Sequence, residues 1–182
     1  FLIFAIIFYH TGEYRLDRLG GLWRKFPLLM VFFLLSFGAI SGLPLLNGYA
    51  SKTLIHDALL EAHHYYHTFD IYLAERLFVL GSAFTFCYYA KLFYCTFLGP
   101  LPEKYNVNYH TSFLMYLPLA LLAVGIILLG IWPNIFIENY LLQAASQFQF
   151  YRGGIEHLIG FHFFSEAPLN ASATIFLLAV LL

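Results

Sequence analysis

Gly42-Leu43-Pro44-Leu45-Leu46-Asn47-Gly48-Tyr49-Ala50-Ser51-Lys52 decides how this chain is built. It closes a stretch from Phe26 to Ser51 that carries no charged residue, and it interrupts that stretch at Gly42, Pro44, Asn47 and Gly48. Hydrocarbon tolerates a broken helix only where protein or a water-filled cavity satisfies the freed backbone groups. An ionisable side chain at membrane depth is expensive and marks ion or proton pathways. A lysine directly after such a break therefore points to transport. The competing reading makes Lys52 an interfacial residue that snorkels to the headgroups, because it ends the apolar run.

Composition supports a membrane setting for the whole chain. Of its 182 residues 61% are hydrophobic and 10% charged, against about 45–50% and about 25% in soluble domains. Mean hydropathy is +0.74. A net charge of −1 gives no footprint for nucleic acid. The chain begins at Phe1 inside one apolar run and ends at Leu182 inside another, without an initiator Met or a signal n-region. The expectation is an internal piece of a longer multi-pass protein. Cys87 and Cys95 stand eight residues apart in one apolar run. On a helix that is about 12 Å of rise, too far for a mutual disulfide, and both read as packing residues.

A spanning helix needs roughly 20 mainly apolar residues. Residues 1–9 read as the end of a truncated span and 26–61 as the broken helix, with halves at Pro27–Ser41 and Tyr49–Glu61. Ala62–Asp70 reads as a polar connection, 71–98 and 111–132 as spans, and Pro133–Pro168 as a long polar-aromatic connection with a turn at Gly153-Gly154. Residues 169–182 begin a final truncated span. The fold expected is all-α, a polytopic transmembrane bundle with one discontinuous helix. The loop His10–Lys25 holds Arg15, Arg18, Arg24 and Lys25, and the loop Gly99–His110 holds Lys104. The positive-inside rule places both on the cytoplasmic side and Pro133–Pro168 opposite.

The chemistry available to Lys52 depends on its surroundings. Desolvation disfavours an ammonium, a nearby carboxylate favours it, and a site balanced between the two can load and release a proton. His56 lies one helical turn on, on the same face, and titrates near neutrality as a relay partner would. Asp57 is the nearest following acid, less well aligned. Lys91 reads either as a relay member or as a snorkelling anchor. Glu75 and Arg76, near the outer end of their helix, read as interfacial. His63 and His67 have a spacing that can share an ion, but no completing set of ligands accompanies them, and no metal is expected. No nucleotide loop, cysteine cluster or flavin fingerprint is present, so no cofactor and no catalytic centre are expected in this chain.

The run Leu16-Asp17-Arg18-Leu19-Gly20-Gly21-Leu22, followed by Pro27 and then by Gly42–Lys52, resembles the proton-translocating antiporter-like family. Its members are the L, M and N subunits of respiratory complex I (NADH-quinone oxidoreductase), the large subunits of multi-subunit sodium/proton antiporters, and membrane arms of energy-converting hydrogenases. The resemblance is strong from His10 to Glu61 and continues more weakly through Tyr88–Tyr94. It implies a C-terminal fragment of an antiporter-like fold of about fourteen helices, with no redox centre of its own. It aligns Lys52 with the lysine of the family's second broken helix, in the outlet half-channel. His10, a candidate member of the proton pathway, and Asp17 match a helix-end histidine and a loop acid that recur in the family, with Arg18 beside them in the cytoplasmic loop. Thr53 departs from the acidic residue that often follows the lysine. Implied partners are other membrane subunits of the same complex, the lipid bilayer, and protons or sodium ions; the expected location is a bacterial or archaeal plasma membrane, with an organellar inner membrane as the alternative. The competing function classes are an independent secondary transporter and a purely structural membrane subunit.

The charge bias makes a first prediction. In the full-length protein, single cysteines placed in His10–Lys25 and Gly99–His110 should react with impermeant thiol reagents from the cytoplasmic side only. Labelling of the first loop from outside alone would overturn this topology.

Overall fold

A computed structural model of the protein describes residues 1–107, 109–147 and 163–181. The turn expected at Gly153-Gly154, with Arg152 and Glu156, lies outside the described residues. Those described form helices and connecting loops, with no strand among them. The helices are α1 (Leu2–Thr11), α2 (Pro27–Ser41), α3 (Asn47–Tyr66), α4 (Phe69–Phe93), α5 (Phe113–Ile131), α6 (Pro133–Phe136), α7 (Leu142–Gln147) and α8 (Glu166–Leu181). Among the described residues two uninterrupted segments are long and apolar enough to cross a membrane: Phe69–Leu98, with its π-helical end, and Phe113–Ile131. Only 11% of an apolar 18-residue stretch of each is buried. A core helix of a soluble protein would hide most of that surface; here it faces outward, as lipid-facing helices do.

Helix α2 starts where Pro27 takes the first helical position, a site with no hydrogen bond to lose. It stops at Gly42, whose φ of +85° is left-handed. The Gly42 amide donates to the carbonyls of Gly38 and Ala39, and the Leu43 amide to Gly38 at 2.9 Å. This Schellman-type closure satisfies two carbonyls of the last turn within the helix itself. The break then runs through Leu45, a non-glycine residue at φ 71°. Such a position costs about 1–3 kcal/mol and persists only where the surroundings hold it. Two glycines do the holding. A Cβ at Gly48 would run into the Ala39 carbonyl oxygen, and one at Gly130 of α5 would run into the backbone of Leu45 and Leu46. The break is thus clamped between the end of α2, the start of α3 and the end of α5.

Beyond the break the helices are longer than the sequence suggests. α3 continues past Glu61 to Tyr66, and His67, left-handed at φ 50°, caps it. α4 begins at Phe69, so the expected connection Ala62–Asp70 shrinks to His67 and Thr68. The histidines and tyrosines that read as a loop form the last turn of a helix hairpin, because one left-handed residue suffices to reverse the chain. Pro133–Pro168 is likewise not an irregular connection throughout: Pro133 opens α6, a π-helical turn spans Ile137–Leu141, and α7 follows. α8 starts at Glu166, ahead of the apolar run that marks it.

The buried apolar residues form two clusters. One gathers Ile7, Leu22, Phe26, Leu29, Phe33 and Phe97 from α1, α2, the first loop and the end of α4. Phe33 stacks near Phe93 at 6.0 Å, and Phe26 on Tyr109 at 5.1 Å. In this region Gly20 and Gly21 lie against the backbone of Gly99–Leu101, so the two basic loops touch. The second cluster joins Tyr49 and Ala50 to Ile137 and Phe163, and Tyr49 Oη donates to the Phe163 carbonyl at 2.6 Å. α4 packs on α2, α3 and α8, while α5 packs on α2 and α3.

The glycine contacts make a second prediction. Gly48→Ala should destabilise the extracted full-length protein by about 1–3 kcal/mol, as overpacking does. Gly81→Ala, where a Cβ meets no atom within 4 Å, should be neutral or stabilise by about 1 kcal/mol. Thermal melts in detergent measure both; equal melting temperatures for the two variants would contradict the clamp.

Candidate functional site

Lys52 lies in the second turn of α3, directly beyond the break. Its stem folds back across Gly42: a Cβ there would come within 3.1 Å of Lys52 Cδ. Its Nζ donates to the Ser41 carbonyl at 3.4 Å. That carbonyl belongs to the residue closing α2, and the Schellman closure leaves it without an intrahelical partner. Carbonyls at a helix C-terminus carry the negative end of the macrodipole and favour a cation. The ammonium is therefore half-buried against the end of α2.

A cavity of ≈ 100 Å³ opens beside Lys52, between the end of α2, one face of α3 and the start of α8. Ser41, Gly42, Lys52, Thr53, His56 and Asp57 line one side of it. Ala167, Ala171, Ser172, Ile175 and Phe176 of α8 line the other. Helical spacing puts Lys52 and His56 on one face, and Asp57, despite its poorer register, reaches the same space. Two larger clefts, of ≈ 550 and ≈ 520 Å³, are bordered mainly by apolar side chains, around Phe4, Phe8 and Phe33 and around Trp132 and Phe163.

From the cavity a polar connection leads to α4. His56 Nε2 lies 3.4 Å from Glu75 Oε1, and Glu75 Oε2 pairs with Arg76 Nε at 3.2 Å. Glu75 is 7% exposed and the Arg76 side chain 59% exposed, so the connection ends at the surface. The sequence places Glu75 at the interface; the structure buries it against His56. The buried residues of α4 are Glu75, Ser82 and Ala83, one face at i and i+7. Ser41 also belongs to the site, though nothing in the sequence singles it out. It is 3% exposed, lines the cavity, and its hydroxyl has no hydrogen-bond partner among the described residues.

The other residues singled out from the sequence lie elsewhere. His10 ends α1, with its ring 5.5 Å from those of Phe26 and Tyr109 and its Nε2 3.1 Å from Thr111 Oγ1. Asp17 and Arg18 are exposed in the first loop. Arg15 donates two hydrogen bonds to Asp17, and that contact holds its carboxyl below the usual carboxylate range. Arg18 lies 3.8 Å from Glu13. Lys91 is exposed on α4 and does not border the cavity. Gly42, Pro44, Asn47 and Gly48 form the break and its flanks. His63 packs by Tyr72 and His67, with ring centroids 5.6 and 6.4 Å away.

Comparison with known proteins adds a family match and a set of relatives. Residues 1–77 match the family described as NADH:quinone oxidoreductase/Mrp antiporter, transmembrane. The A-type component of the Na(+)/H(+) antiporter of Alkalihalophilus pseudofirmus is 33% identical over 153 residues, covering 81% of this chain and 19% of that protein. The A-type component of the Bacillus subtilis Na(+)/H(+) antiporter is 32% identical over 155 residues, 80% of this chain and 19% of the relative. Its A1-type counterpart from Staphylococcus aureus is 30% identical over 152 residues, with 80% and 19% covered. The chain spans about a fifth of the length of these curated relatives.

Burial makes a third prediction, for the His56–Glu75 contact. Glu75→Ala should lower stability by about 1–3 kcal/mol, because it strips a buried group of its partner. Arg76→Ala, at an exposed pair, should stay within about 1 kcal/mol. His56→Ala combined with Glu75→Ala should cost less than the sum of the two single variants. Strict additivity in thermal melts would show that the pair does not interact.

Proposed function

We propose that this chain, whose residues 1–77 match the NADH:quinone oxidoreductase/Mrp antiporter transmembrane family, forms the exit half of a cation/proton pathway, with Lys52 as its load-and-release proton site. The host is a multi-subunit membrane complex, whose other subunits and surrounding lipid cover the apolar faces exposed here. The single observation that carries the reading is the placement of Lys52. Its ammonium meets the free carbonyl end of α2 over a cavity shared with His56 and Asp57.

Two opposing influences act on that ammonium. Removal from water disfavours its charge, while the carbonyl end of α2 favours it. A small change in cavity hydration or in neighbouring charge then tips it between protonated and neutral. A proton released from Lys52 passes to His56 one turn on, and from there along the contact with Glu75 to the surface beside Arg76. His10, Asp17 and Lys91 stand outside this route and serve packing, loop structure and anchoring. The family description also includes NADH:quinone oxidoreductase. The relatives' names favour cation/proton exchange as the host activity.

Lys52→Met in the complete complex tests this as a fourth prediction. Methionine keeps length and apolar packing and removes the titratable amine. Proton uptake by reconstituted vesicles, normalised to assembled complex, should fall by about a hundredfold, the low end of what losing a positioned acid–base group costs. Lys52→Arg should also impair uptake, because arginine stays protonated. Wild-type uptake by Lys52→Met would remove Lys52 from the pathway. Wild-type uptake by Lys52→Arg would show that a fixed positive charge suffices.

A further inference from the structure

We propose that the hydroxyl of Ser41 is a positioning group, holding the water through which the proton of Lys52 leaves toward His56. The inference rests on the proton role of Lys52 given above. Three observations meet at this serine. Its backbone carbonyl accepts from Lys52 Nζ at 3.4 Å, so the two residues adjoin. It is 3% exposed, yet its Oγ has no hydrogen-bond partner among the described residues. It borders the cavity shared with Lys52 and His56.

A buried hydroxyl left unpaired costs about 1–3 kcal/mol, and native proteins answer that cost with an ordered water or ion. Here the space suits water. The cavity of ≈ 100 Å³ exceeds the ~10–15 Å³ one water needs. The polar groups around it (Ser41, Lys52, His56, Asp57 and Ser172) can supply the two to four hydrogen bonds that fix such a molecule. The Lys52 ammonium disfavours a second cation in the same small volume, and this selects water over a metal ion. A water accepting from Lys52 Nζ and donating to Ser41 Oγ keeps its second proton free to pass on. The ammonium then gives up a proton to the water oxygen as the water releases one toward the imidazole. Proton count and charge balance, and no co-reactant enters.

The far wall gives the water its room. Ala171 and Ser172 bring small side chains to the cavity from α8, and Ser172 Oγ already donates to the Pro168 carbonyl at 3.2 Å, leaving its oxygen free to accept. α8 therefore sets how much water reaches Lys52.

The test uses two variants of the full-length protein in its assembled complex, Ser41→Ala and Ala171→Leu. Turnover is measured as sodium-driven proton movement in vesicles. Both should lower maximal turnover by about three- to tenfold, the effect of one lost hydrogen bond on a proton step. The apparent KM for sodium should stay unchanged, because the cation is not held by the hydroxyl. If the serine is merely an unpaired buried hydroxyl, Ser41→Ala should melt at the same or a higher temperature and turn over like wild type. That result overturns the proposal, as does wild-type turnover by an assembled Ala171→Leu. Lys52→Met run alongside separates the two levels. A silent Lys52→Met removes the pathway itself, whereas an inactive Lys52→Met with a fully active Ser41→Ala removes only the water.

Discussion

The last turn of α2 must find partners for its carbonyl groups somewhere other than bulk water. In hydrocarbon an unpaired peptide group costs several kcal/mol, so a helix cannot simply stop there. Gly42 resolves part of this by turning left-handed and letting the amides of Gly42 and Leu43 reach back into the helix. The Ser41 carbonyl remains, and Lys52 takes it from the far side of the break. One lysine thus answers a structural need of α2 and places a titratable group inside the bundle. Its position and its chemistry have a common cause.

The rest of the architecture protects that arrangement. The aromatic cluster around Phe26, Phe33 and Phe97 fixes where α2 begins. Tyr49, through its bond to the Phe163 carbonyl, fixes where α3 begins. Gly48 and Gly130 permit backbone contact on either side of the break and hold Leu45 in a conformation it would not otherwise adopt. Beside the break lies a cavity that every polar group of the proposed route except Glu75 and Arg76 borders.

Much of this is legible in the sequence. The uncharged run, its Gly-Leu-Pro interruption and the lysine after it locate the break, and helical spacing ties His56 to Lys52. The polar stretch from Ala62 misleads, because histidine and tyrosine end a helix rather than forming a loop, and a single left-handed His67 makes the reversal. Glu75 reads as an interfacial acid because its neighbours on both sides are apolar or exposed. Its burial depends on which face of α4 turns toward α3, and that follows from tertiary packing. Ser41 gives no sign at all. A serine at a helix end usually answers its own backbone, and only the cavity beside it shows that its hydroxyl does not.

The central claim is that Lys52 faces a hydrated interior, held by the end of α2, and not the lipid headgroups. An experimental density map of the full-length protein in its complex, in lipid and sharp enough to show ordered waters, tests it directly. The account predicts Lys52 Nζ beside the Ser41 carbonyl, with water density in the space bounded by α2, α3 and the helix at 166–181. An ammonium among headgroup density, with no internal polar neighbour, would contradict it.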